Sequence, residues 1–250
     1  MKLRVATYNI HKGVIRELFG LKRIACIHEL RTRLHDLHAD LIFLQEVQGR
    51  HERHALRFEG WPLEPQDQFL AKSPTLKHTF EVAYGPNAHY LHGHHGNALL
   101  SRFPIIGREN RDFSDHVLEK RGVLHCVVGV DERHVHCFVT HFGLLARSRL
   151  RQADALIEWI EQVVPADAPL LIGGDFNDWR DRLSRRFESA LGVAEVLSCA
   201  RTFPSLLPVM RMDRIYARGF EIRGADVLRG PVWAKLSDHA PLVADLRLAA

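Results

Sequence analysis

Apolar residues recur along this chain in two rhythms, and each predicts a different element. Short apolar runs at Leu3–Tyr8, Leu41–Leu44, Ala98–Ser101, Gly122–Val130 and Val135–Thr140 predict strands. The last two flank a charged Asp131–His134 turn, which predicts an antiparallel hairpin. Helical spacing instead links Ile24, Ile27, Leu30, Leu34 and Leu37 within Leu21–Leu37. It returns through Leu150, Ala153, Ile157, Ile160 and Val164, where Pro165 ends the run. Beyond it the pattern predicts a strand at Leu170–Gly174, a short helix near Leu183–Leu191, and strands at Met212–Ala217, Phe220–Val227 and Ala240–Leu248. Trp61–Ser73 and Tyr84–Gly96, rich in Pro, Gly, His and Asn, read as loops. With no repeat, low-complexity tract or long linker, residues 1–250 read as one domain.

The polar residues that end these runs change the picture. Leu170–Trp179 reads LLIGGDFNDW, so an apolar strand meets two glycines and then delivers Asp175 and Asn177 to one side. Other strands end similarly: Asn9 after Val5–Tyr8, Glu46 after Leu41–Gln45, and His141 after Cys137–Thr140. Asp213 opens MDRIY, and Asp238-His239 precede the final strand. Any one of these is an ordinary cap or turn residue. Together, an ordered set of acids, amides and imidazoles at strand ends predicts one pocket.

Composition narrows the class without naming a substrate. The hydrophobic fraction of 46% and charged fraction of 26% are those of a globular protein. No run approaches the ~18 to 20 consecutive apolar residues of a membrane span, and the N-terminal stretch turns polar too early for a signal core. A cytoplasmic protein without a transmembrane segment is expected. Cys26, Cys126, Cys137 and Cys199 lack zinc or disulfide-framework spacing and read as free thiols, with Cys126 facing Cys137 across the hairpin. A net charge of +4 with 17 histidines permits an anionic partner.

The segments ATYNIHKG, LQEV, GNALLSR, THFG, GGDFND, MDRIY and SDHAP, in this order, resemble the endonuclease/exonuclease/phosphatase family, the metal-dependent phosphoesterases with the deoxyribonuclease I fold. The resemblance runs from residue 4 to residue 246, and is greatest to small bacterial hydrolases of that family. It implies a four-layer α-β-β-α sandwich of two packed, mainly antiparallel mixed sheets. It also implies Mg²⁺, with Mn²⁺ as a substitute, on Glu46 with Asn9 and Asp238 completing an oxygen-rich shell. Asp175 and Asn177 resemble the pair that positions the attacking water and holds a phosphoryl oxygen. Asp213 resembles the acid orienting His239, and His141 the second histidine beside the phosphate. The implied chemistry is water attack on a phosphate ester, with His239 and Asp175 handling the water.

Substrate identity is narrowed by exclusion only. The short span between Asn177 and Asp213 leaves no room for DNA-gripping insertions and argues against an abasic-site endonuclease. Phosphodiester cleavage, nuclease-like, is the leading expectation. Phosphomonoesterase or phospholipid-type phosphodiesterase activity is the alternative, and an idle nucleic-acid-binding module the distant one. Partners would accordingly be a phosphate ester within a nucleic acid or lipid head group. Within HYLHGHHGN, His95 and Asn97 read either as a substrate-contacting wall or as part of a solvated loop. Arg147, Arg149 and Arg151 read either as an anion-binding cluster or as one exposed helix face.

Overall fold

A computed structural model describes residues 1–16, 23–75 and 79–249. Chain order gives β1 (Lys2–Asn9), β2 (Val14–Arg16), β3 (Arg23–Ala25), α1 (Ile27–Asp36), β4 (Leu41–His51), α2 (Glu52–Arg57) and α3 (Gln66–Ala71). Next come β5 (Glu81–Tyr90), β6 (Gly93–Ser101), β7 (Ile105–Asp112), β8 (Gly122–Val130), β9 (Arg133–His141) and α4 (Ala146–Val163). The chain closes with β10 (Leu170–Asp175), α5 (Ser184–Leu191), β11 (Ala194–Glu195), β12 (Asp213–Arg218), β13 (Phe220–Val227), α6 (Pro231–Ala234) and β14 (Leu242–Leu248).

Two six-stranded sheets carry the fold, in the orders β13-β14-β1-β4-β6-β5 and β11-β12-β10-β9-β8-β7. Each has one parallel pair near its centre, β1 with β4 and β9 with β10, and antiparallel neighbours outward. Their facing sides alternate Val, Leu and Phe into a shared core that includes Val5, Phe43, Leu99, Val139 and Leu171. The outer side of the first sheet packs Leu30 and Leu34 of α1 and Leu70 of α3. That of the second packs Leu156 and Ile160 of α4 and Phe187 of α5. This is the expected α-β-β-α sandwich.

The two glycines before Asp175 are required by this packing. A Cβ on Gly173 would lie 2.8 Å from the Phe43 ring of the opposite sheet, and one on Gly174 would lie 2.0 Å from the Thr140 carbonyl of β9. Only glycine lets both sheets and the neighbouring strand approach the end of β10.

Several sequence readings need correction. Of the helix expected over Leu21–Leu37, Leu21 and Lys22 lie outside the described residues. Arg23–Ala25 instead pairs with β2 as a strand, and the helix begins at Ile27. Tyr84–Gly96 is mostly the β5–β6 hairpin rather than a loop, because β5 is an edge strand whose solvent side takes polar residues. Trp61–Ser73 contains α3, whose buried face is short and includes Gln66 and Asp67, so no apolar period marks it. β4 runs on to His51, so Glu46 lies within a strand and not at its end. The expected hairpin of β8 and β9 is present, with Cys126 opposite Cys137 and both thiols free.

Candidate active site

Strand direction gathers the polar residues at one end of the sandwich. β1, β4, β9 and β10 finish there, and β12 and β14 begin there. Asn9, His141 and Asp175 are the last residues of their strands, and Asp213 is the first of β12, opposite Asp175 in register. Glu46 arrives by a different device. Between the Leu44–Ala98 and Val47–Gly96 pairs, β4 carries one residue more than β6, and Glu46 takes φ of 57°. This bulge turns its carboxylate toward the strand ends.

Asp175 is the convergence point. Its Oδ2 accepts a hydrogen bond from Asn9 Nδ2 at 3.1 Å and lies 3.6 Å from His141 Nε2 and 3.7 Å from His239 Nε2. The last two gaps exceed a direct hydrogen bond but fit one oxygen atom shared among the three groups. Asp175 Oδ1 accepts from the Asn177 backbone N–H at 2.9 Å. Asn177 Nδ2 donates to the Phe142 carbonyl at 2.9 Å, and the residue has φ of 50°. His239 Nδ1 sits 2.7 Å from Asp213 Oδ2, which leaves Nε2 aimed at Asp175. Neither Arg211 nor Arg214 competes for Asp213: both pair with Asp181 and Glu195, and Arg214 also with Asp178.

The electrostatics follow from burial and crowding. Burial raises the pKa of Asp175, and the Asp213 charge adds to this against the opposing pull of His239. Burial lowers His239, but the charges of Asp213 and Asp175 outweigh it and raise its pKa overall. Burial and Arg121 hold His141 well below the ordinary imidazole value. Glu46 would be raised by burial, yet Lys12, His141 and His11 bring it below the usual carboxylate range. The result is a buried set of carboxylates sharing few protons.

Two groups of residues could hold a divalent metal. Donor atoms of Asp175, Asp213 and His239 all lie within 4.8 Å of one another. In that trio, however, the His239–Asp213 contact is already a short hydrogen bond. The second group is Glu46, Asp238 and Asn9. Glu46 Oε2 has Lys12 Nζ at 3.2 Å as its charge partner but accepts no well-directed hydrogen bond, although it is buried. Asp238 Oδ1 meets His11 Nδ1 at 3.1 Å, and Asn9 Nδ2 reaches Glu46 Oε1 at 3.4 Å. An orphaned carboxylate oxygen of Glu46 with the Asp238 carboxylate fits a hard cation better than the histidine-containing trio does, whereas Asn9 turns its Nδ2 to Glu46 and its Oδ1 to the His11 N–H.

The two residues expected to wall the substrate separate. His95 is half-buried, hydrogen-bonded through Nδ1 to Tyr90 Oη at 2.7 Å, and shifted down to about 4 by burial and Lys12. Asn97 is fully buried, and its Nδ2 donates to the carbonyls of Gly122 and Val139, joining the two sheets. With its amide nitrogen so committed, Asn97 serves as a core tie. Four residues not singled out from sequence border the site: His11, Lys12, Tyr90 and Arg121. His11 and Lys12 both take positive φ, 44° and 61°, in a loop that no periodicity marks. Arg121 donates to the Phe142 carbonyl and to Glu119.

Open space flanks this constellation on both sides. A cleft of about 660 Å³ includes Tyr90, His95 and Arg121, and another of about 560 Å³ includes His11, Lys12, Ser205 and Asp238. Residues 6–239 match the model of the Endonuclease/Exonuclease/phosphatase family. The chain belongs to that family. The uncharacterized protein YbhP of Escherichia coli (strain K12) is 41% identical over 252 residues, covering 98% of this chain and 96% of YbhP. Among solved structures, an endonuclease/exonuclease/phosphatase from Bacteroides vulgatus superposes with a TM-score of 0.75 at 17% identity, covering 99% of each chain. The mannosyl-6-phosphatase of Bacteroides thetaiotaomicron VPI-5482 does so at 0.69 and 17%, covering 98% of this chain and all of its own. These likenesses establish the fold, and membership of the family makes the protein a phosphoester hydrolase. Among the described residues, no helix is long and apolar enough to cross a membrane.

Proposed function

We propose that this protein is a divalent-metal-dependent phosphodiesterase whose nucleophile is a water held against Asp175. The observation that carries the reading is the convergence on Asp175 Oδ2 of Asn9, His141 and His239, at 3.1, 3.6 and 3.7 Å. The water's proton passes to the coupled Asp175–His239 pair, which shares few protons between its two basic groups. Asp213 holds the His239 ring in one tautomer and stabilises its cationic form. His141, kept from protonating by burial and Arg121, donates a hydrogen bond to the developing negative charge, as does Asn177. Glu46 with Asn9 and Asp238 would hold Mg²⁺ or Mn²⁺, which as a Lewis acid would polarise a phosphoryl oxygen.

Preference for a diester rests on the two clefts. A diester carries a substituent on each side of phosphorus, and strand order puts one cleft toward β5 and β8 and the other toward β14. The same machinery serves monoester hydrolysis in principle, as the fold shared with a mannosyl-6-phosphatase illustrates. The test is release of p-nitrophenol from bis- and mono-p-nitrophenyl phosphate with Mg²⁺, after EDTA, and in Glu46→Gln. The diester should turn over faster, and EDTA and the variant should each abolish release while the melting temperature holds. A faster monoester reverses the substrate ranking. Full activity in Glu46→Gln removes the metal assignment.

A further inference from the structure

The loops around the site expose an unusual amount of apolar surface. Leu118, Leu144, Leu145, Trp179, Leu206 and Leu207 are between 49% and 91% exposed. All follow strands that end at the site or precede strands that begin there. The opposite end shows only scattered singles such as Met1, Ile106 and Ile222. Isolated exposed leucines are normal, but adjacent pairs gathered at one end of the sandwich are not.

These loops are tied to the machinery. Ser205 donates from its N–H to the Asp238 carbonyl at 2.7 Å and from Oγ to the Ser237 carbonyl at 2.6 Å, so Leu206 and Leu207 hang beside the His239 segment. The Phe203 ring packs against His239 with centroids 5.0 Å apart. Across the opening, the Glu119 carboxylate accepts from the Leu144 N–H and pairs with Arg121, which joins the Leu118 loop to the Leu144–Leu145 loop. Leu118, Leu144 and Leu145 line the same cleft as His95 and Arg121.

Unpaired charge on these loops is mostly positive. Lys120, Arg147, Arg180, Arg182 and Arg201 are exposed there and make no ion pair among the described residues. The neighbouring acids Asp115, Glu119 and Asp181 are each paired with an arginine. Leucines and a tryptophan interleaved with unpaired cations are what an anionic lipid surface recognises: apolar tips enter the acyl boundary while cations meet head groups.

We infer that this end of the protein docks on an anionic phospholipid surface and presents the catalytic pocket to it. The docking stands apart from the phosphoesterase reading. Only its consequence, that the hydrolysed ester is presented by a lipid, rests on that reading.

The experiment is flotation of the full-length protein with vesicles of phosphatidylcholine alone or mixed with phosphatidylglycerol. Two variants accompany it, Trp179→Ser/Leu207→Ser and Arg147→Glu/Arg201→Glu. The parent should float with the anionic vesicles and not with the neutral ones, and each variant should bind about tenfold or more weakly. Both variants should keep the parent's melting temperature and its rate on soluble bis-p-nitrophenyl phosphate, since the altered side chains are exposed and line neither cleft. Flotation by a protein that hydrolyses no phosphate ester supports docking and refutes the phosphoesterase reading. Failure of the parent to float, or flotation by both variants equal to the parent's, overturns the inference. So does a lipid-free dimer that the Trp179→Ser/Leu207→Ser variant converts to monomer, because the rim would then seat a second copy of this chain.

Discussion

Asp213 and Arg214 are neighbours on β12, both are fully buried, and they serve opposite ends. Alternation along the strand sends them to opposite faces of the sheet. On one face Arg214 meets Asp178 at 3.2 Å, Asp181 at 3.4 Å and Glu195 at 3.5 Å, with Arg211 beside it. Asp178 Oδ2 additionally accepts the backbone N–H groups of Arg182 and Leu183, so the loop after β10 is pinned. On the other face Asp213 meets His239, and beyond it Asp175 raises the local crowding of carboxylates. The first cluster places cations between acids at ion-pair distance. The second holds His141 and His239 3.6 to 3.7 Å from one Asp175 oxygen, and among the described residues no lysine or arginine pairs with Asp175 or Asp213. Buried charge that is matched holds a fold, whereas buried charge left incompletely matched keeps capacity for a ligand, a proton or a reacting atom.

Breaking the matched cluster should have the largest effect on stability. Arg214→Ala leaves three acids around a buried void, and a cost of about 3 to 5 kcal/mol is expected in denaturant unfolding. Arg214→Met combined with Asp178→Asn should recover part of that loss. It removes the lone charge yet keeps an acceptor for the Arg182 and Leu183 N–H groups. If the single change is tolerated within 1 kcal/mol, the distinction between the two clusters fails.

The unmatched cluster should respond in the other currency. Asp213→Asn or His239→Ala should slow turnover by ~10² or more, with a melting temperature close to the parent's. Because the two act through one ring, the double variant should be little worse than the slower single one. Losses that multiply would show that Asp213 acts independently of the imidazole.

A third buried array sharpens what matching means for histidine. His125 and His136 lie under α4 with rings stacked at 11° and Nε2 of one 3.0 Å from Nδ1 of the other. Burial and the neighbouring imidazole push His125 down to about 4, and burial also lowers His136. His239, equally buried, goes up because two carboxylates face it. Lowered folded-state values mean that the unfolded chain takes up protons first. The contribution is therefore whole above about pH 6.5 and lost as pH falls toward about 4. Unfolding in urea near pH 7.5 and near pH 5 should differ by about 1 to 2 kcal/mol from this pair. His125→Gln should flatten that slope, and an unchanged slope would mean the pair does not titrate with unfolding.

Much of this was legible in the chain because burial and strand direction act on pattern. Strands buried on both faces write continuous apolar runs, which is why Leu41–Leu44 and Leu170–Gly174 were visible and their polar ends stood out. Edge strands do not: β7 alternates toward solvent, and β5 carries Pro86, Asn87 and His89, so neither has an apolar signature. The bulge that aims Glu46 is invisible for another reason. It depends on register against β6 and on a left-handed φ at a glutamate, neither of which a single segment encodes. His11 and Lys12 were missed in the same way. Asp178 and Arg214 sit inside GGDFND and MDRIY, and spacing alone does not show that they pair with each other away from the catalytic groups.

The arginines at the start of α4 give the smallest effects and the finest test of the same distinction. Sequence presents Arg147, Arg149 and Arg151 as equivalents, but only Arg149 is buried, donating through Nη1 to the Gly143 carbonyl at 3.2 Å and the Leu144 carbonyl at 2.5 Å. Those carbonyls belong to the turn that follows His141 and Phe142, and Asn177 grips the same turn at the Phe142 carbonyl. Arg149 is thus a matched cation holding the edge of the unmatched cluster. Arg149→Ala should cost about 1.5 to 3 kcal/mol through charged hydrogen bonds lost to buried acceptors, and should lower turnover modestly as the turn relaxes. Arg151 reaches Asp115 at the surface, so Arg151→Ala should show a smaller loss that vanishes at high salt. Arg147 has no partner among the described residues, and Arg147→Ala should stay within about 0.5 kcal/mol of the parent. Thermal unfolding of the three variants at low and high salt separates them. Equal responses would mean that this segment is one exposed helix face, with no arginine reserved for the turn beside His141.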